Sequence, residues 1–122
     1  MAFNFEKLDV YQKALNYAND IYNLTKNFPS DDRFEITSQL RKANLSISLN
    51  IAEGSGRTKK EFRHFLLIAR TSAQECIPLL TIVQMQGYIR KTEKEKFYNR
   101  TEELSLIHIS EPTRPLYISY AV

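Results

Sequence analysis

Four basic residues, Arg57, Lys59, Lys60 and Arg63, crowd a short stretch that also holds Gly54, Gly56 and Thr58. Basic side chains beside the free N–H groups and positive dipole of a helix N-terminus make a setting that favours phosphate. The string GSGRTKK lacks the G-x-x-x-x-G-K-[ST] spacing of a nucleotide-binding loop, so a nucleic-acid backbone, RNA or DNA, is the better fit. A merely solubilising rim is the competing reading. Arg57 and His64 could instead do acid–base chemistry, with His64 moving a proton and Arg57 steadying a phosphate. Their spacing loosely resembles the Arg-x(4–6)-His motif of HEPN ribonucleases, but an Arg-rich chain meets that spacing readily by chance. Asn50 and Glu53 look like half of an acid pair and read better as a hydrogen-bonded register contact at a helix or subunit boundary. Cys76 has no thiolate-activating neighbour or metal-ligand spacing, which leaves it as a small core residue. No metal site and no cofactor are expected.

These residues need helices to hold them. In Gln39–Lys60, the residues Leu40, Ala43, Ile47, Ile51 and Gly54 recur at steps of three and four, one stripe down a helix. Ala43, Ser46, Ser48 and Ala52 keep that stripe thin enough for close approach of a neighbour. Gly54 and Gly56 are expected to end the helix in the left-handed conformation. Thr58 with Glu61 then reads as a capping box that starts the next one. Phe62, Leu66, Ala69, Ala73, Cys76, Leu80 and Val83 keep a four-three repeat that predicts bundle packing, with Pro78 kinking a continuous helix.

An earlier helix is predicted from about Leu8 to Asn27, stopped by Pro29. It has two seams, Leu8–Tyr11–Leu15–Ala18–Tyr22–Thr25 and Ala14–Tyr17–Ile21–Leu24–Phe28. Two seams exceed what one neighbour needs, so either the helix is deeply buried in its own bundle or the second seam faces another subunit, with Tyr11, Tyr17 and Tyr22 as candidate oligomer contacts. Ser30-Asp31-Asp32 should cap the second helix, and Thr92 with Glu95 should open a fourth after Gly87.

The 122 residues suffice for one domain with a core that needs no staple. One cysteine excludes an internal disulfide, and no leader or long apolar run is visible, so a cytoplasmic protein without membrane contact is expected. The net charge is only +3 but uneven. Residues 1–35 carry four basic and six acidic groups, while 36–75 carry seven basic and three acidic, which points mildly to a polyanion partner.

The segments FNFEKLDVYQKALNYANDIYNLTKNFP and SQLRKANLSISLNIAEGSGR followed by KKEFRHFL resemble the signature of the four-helix-bundle family first found encoded by intervening sequences of bacterial 23S ribosomal RNA genes. The likeness covers about residues 3–103. It implies an all-α, antiparallel up-down-up-down left-handed bundle, commonly a ring-shaped homopentamer, and brings no catalytic residues. The related accessory proteins of diversity-generating retroelements act beside a reverse transcriptase and its RNA, which supplies an alternative partner.

Residues 104–122, LSLIHISEPTRPLYISYAV, resemble the in-frame translation of a sequencing adapter. The bundle domain is therefore assigned to residues 1–103, with a fourth helix truncated to about Thr92–Glu103 and an artefactual tail after it. The sequence thus points to a non-enzymatic, oligomeric helical module that binds nucleic acid through Arg57, Lys59, Lys60 and Arg63.

Overall fold

The computed structural model describes residues 3–29 and 33–106, with Arg33 and Phe34 described in backbone only. A single 3-10 turn, Asn4–Lys7, leads into α1 (Asp9–Thr25), α2 (Arg33–Ser55), α3 (Lys59–Met85) and α4 (Lys91–Ser105). The expected cap at Ser30-Asp31-Asp32 and the expected adapter-like tail beyond Leu106 lie outside the described residues.

The apolar period of α3 dictates the packing. Phe62, Leu66, Ala69, Ala73, Cys76, Leu80 and Val83 are all buried, as are Leu40, Ala43, Ile47 and Ile51 of α2. α3 is the one helix among those described that is long and apolar enough to cross a membrane by length and composition. In the fold its apolar stripe is the inner wall of a four-helix bundle. The helix runs through Pro78 without a break.

α2 and α3 are antiparallel, and small residues bring them together. The Ser72 hydroxyl donates to Ser46 Oγ at 2.8 Å across that contact. Gly54 departs from its expected role, because it lies inside α2 and is buried rather than ending the helix. A Cβ placed there would stand 2.6 Å from Phe65 Cβ, so close approach of α3 is what requires glycine. Gly56 has ordinary backbone angles, and only Gly87, at φ 81°, takes the left-handed conformation that ends α3.

The second seam of α1 turns inward, and the first is divided, with Leu8, Ala18 and Thr25 buried. Ala14, Tyr17, Ile21 and Phe28 are buried in this chain's own core, whereas Leu15 and Tyr22 of the other seam are exposed. The cause is α4. The Thr101 hydroxyl donates to the Phe97 carbonyl at 2.7 Å, so the hydrogen bond between Tyr17 and Thr101 has the phenol as donor. Phe97 packs edge-on against Tyr17, and Arg100 pairs with Asp20 at 2.8 Å. α4 begins earlier than expected: its cap is Arg90, two residues before Thr92, and the Arg90 N–H donates to the Glu93 carboxylate at 3.0 Å. Leu104 closes the core beside α1.

Candidate nucleic-acid interface

Thr58 caps α3 as its type and position require. Its hydroxyl accepts from the Glu61 N–H at 3.2 Å and donates to the Glu61 carboxylate at 2.9 Å. This fixes the basic residues just past the α2–α3 turn. They do not act alike. The Arg57 guanidinium pairs with the Glu53 carboxylate and with Glu61 at 3.2 Å. Its remaining flank lies 5.0 Å from the Phe65 ring centroid. Glu53 and Glu61 hold its pKa above the ordinary guanidinium value, and Thr58 and Arg57 hold the Glu61 carboxyl below its own. One guanidinium between two carboxylates is a net negative trio, a poor seat for phosphate.

Lys59, Lys60 and Arg63 are exposed and have no carboxylate partner among the described residues. The patch therefore retains three of its four expected members as available cations. His64 is exposed and packs edge-on against the same Phe65 ring, 5.5 Å between centroids. Arg57 and His64 thus share a neighbour, but the arginine is already engaged by acids.

Asn50 is half-buried and bonds within its own helix, donating to the Ser46 carbonyl at 2.7 Å and to Ser46 Oγ at 2.9 Å. It makes no bond to Glu53, which turns outward to Arg57. The buried amide is Asn44, which donates to the Leu40 carbonyl at 2.7 Å while its Oδ1 has no partner among the described residues. Nothing in the local spacing distinguishes Asn44 from Asn50 until the bundle axis is known. Of the three tyrosines, Tyr17 is core at 1% exposure, Tyr11 packs against Phe5, and Tyr22 stands on the surface. Cys76 lies in the core, where burial pushes its thiol up to about 12. Among the described residues no His, Cys, Asp and Glu group could hold a metal ion.

The profile of the 23S rRNA-intervening sequence proteins matches residues 6–110, nearly the whole described chain. The protein belongs to that family. The match runs past Glu103 into the segment that resembles adapter. A solved structure of the S23 ribosomal protein family from Bacteroides thetaiotaomicron, of unknown function, is 27% identical with a TM-score of 0.76. The similarity covers 86% of this chain and 99% of that one. No curated protein matches. For this member of the 23S rRNA-intervening sequence family, the helical bundle and its family are therefore established together.

Proposed function

We propose that this protein is a non-enzymatic, cytoplasmic module that binds nucleic acid as a homo-oligomer, a pentameric ring. One observation carries the nucleic-acid part. Of the three acids in residues 36–75, Glu53 and Glu61 are both consumed by Arg57. Arg41, Lys42, Lys59, Lys60, Arg63 and Arg70 have no ion-pair partner among the described residues. The sequence imbalance is thus carried by available cations on α2 and α3. Such cations read phosphates rather than base edges, so binding is weakly sequence-specific and falls steeply with salt.

The oligomer is supported by an exposed apolar face on α1 and α2. Leu15, Tyr22, Leu45 and Leu49 are all exposed, Leu49 at 63%. Leu15, Tyr22 and Leu45 line one shallow groove. A contiguous apolar face on a small domain marks a contact surface.

The test is RNA and DNA binding across a salt series, with Lys59→Glu/Lys60→Glu alongside the parent protein. Binding that weakens several-fold in the variant, with a shallower salt slope, is the expected outcome. Equal binding by both proteins removes these lysines from the interface. Absence of binding at low salt by the intact oligomer leaves a protein-interaction scaffold.

A further inference from the structure

Arg41 lies on the side of α2 that meets α1. Its Nε donates to the Thr25 hydroxyl at 2.8 Å, and its guanidinium carbon stands 4.1 Å from the Tyr22 ring centroid. Thr25 is itself buried and donates to the Tyr22 carbonyl at 3.0 Å. The head group is therefore fixed from two sides, and neither side is an acid. This separates Arg41 from Arg57 and Arg100, whose heads are paired with carboxylates. A guanidinium has five N–H donors. Only the Nε donor of Arg41 is used by the described residues, so both Nη groups remain available.

The surroundings match that vacancy in chemistry. A groove of about 550 Å³ runs between α1 and α2, with Tyr22, Lys26, Ser38, Lys42 and Leu45 around Arg41. Among the described residues, three cations and no acid line it. Thr37, 6% exposed, forms part of the wall, and its hydroxyl has no partner among the described residues. Threonine in a helix divides between two χ1 rotamers, so one rotation can offer this donor to a ligand. A planar fork already ordered by a ring and a hydrogen bond loses little freedom on taking up an oxyanion, which is the circumstance in which arginine outperforms lysine.

We propose that this groove is a phosphate site, with Arg41 binding the oxyanion through its free N–H groups and Lys26 and Lys42 supplying flanking charge. The phosphate belongs to a single-stranded nucleic acid, an assignment that rests on the function proposed above. The site is distinct from Lys59, Lys60 and Arg63, which sit past the opposite end of α2.

The experiment follows the Arg41 Nε–Hε signal by ¹H–¹⁵N NMR in the full chain, identified by its loss in Arg41→Lys. The protein is titrated with inorganic phosphate and, separately, with a uridine 20-mer. The signal should move with both. In Lys26→Gln/Lys42→Gln, which keeps the Arg41–Thr25 bond, 20-mer affinity should drop. Its log–log salt slope should fall by about 1.4, two contacts at about 0.7 each on a single strand. The variant should melt like the parent, which separates binding from a structural role. A response to phosphate without 20-mer binding supports the groove and removes the nucleic-acid carrier. Strong 20-mer binding that leaves Arg41 unmoved, or that is unchanged in the double variant, overturns the site while sparing the broader function. An Arg41 signal unmoved by either probe also overturns it.

Discussion

Gly54 shows how one missing carbon sets a helix contact. Within a helix, alanine is favoured over glycine by about 1 kcal/mol. At this position the added methyl would lie 2.6 Å from Phe65 Cβ and 3.0 Å from a Phe62 ring carbon. Phe65 Cβ is anchored to the backbone of α3, so it cannot swing aside, and overpacking of this kind costs about 1–3 kcal/mol. Gly54→Ala should therefore lose about 1 kcal/mol net, measured by chemical denaturation; a more stable variant would show that α3 yields freely. Tyr17 and Cys76 supply a second effect at this scale. Burial raises both pKa values, the thiol to about 12. The unfolded chain releases these protons first, near the ordinary values of 9.0 for the thiol and 10.0 for the phenol. These two groups should leave stability level below about pH 8.5 and lower it as pH rises further, by up to about 1.4 kcal/mol per pH unit for each group. Tyr17→Phe should flatten the fall above pH 10 in denaturation midpoints. Its cost should be modest, about 1 kcal/mol, because Thr101 keeps its bond to the Phe97 carbonyl.

At the scale of elements, the α2–α3 hairpin was legible because a four-three repeat marks the face that each helix buries. Ile47 is fully buried within it, and Ile47→Ala should cost about 2–5 kcal/mol in denaturant-induced unfolding. A smaller loss would mean that the cavity collapses. α1 was not legible in the same way. Its two seams have similar apolar content, and the choice between them is made by Phe97, Arg100 and Thr101, some eighty residues later. The basic patch illustrates the same limit. Arg57 reads as a phosphate ligand by type and position, yet Glu53 and Glu61 at four residues on either side are in reach and take it first. That spacing was present in the sequence and could have been weighed. The Arg41 arrangement could not, because Thr25 is sixteen residues away and meets it only once α1 and α2 pack.

At the scale of the whole molecule, the proposed ring makes a demand that a dimer does not. A two-fold interface uses one patch against itself, whereas a closed ring joins two different patches head to tail. The α1–α2 face with Leu15, Tyr22, Leu45 and Leu49 is one candidate patch. Ile82 and Met85, three residues apart on one side of α3 and exposed at 39% and 76%, are a second. If these two faces meet, Leu49→Glu and Met85→Glu should each give monomers by sedimentation, since a charge must be desolvated at either contact. The decisive step is to mix the two variants. A head-to-tail interface leaves each with one intact face of opposite kind, so the mixture should form capped one-to-one dimers and no rings. A self-matched interface gives no such dimer, because Leu49→Glu ruins its only patch, and Met85→Glu would then assemble unaided. The ring also bears on nucleic acid. A patch of three lysine and arginine side chains is screened by salt over about 8–10 Å and binds weakly alone. Repetition of that patch on linked subunits can raise avidity by roughly 10²–10⁴ without any new contact. The capped dimers should therefore bind a long RNA far more weakly than the ring does at equal subunit concentration, while a short strand that spans a single patch should bind both alike.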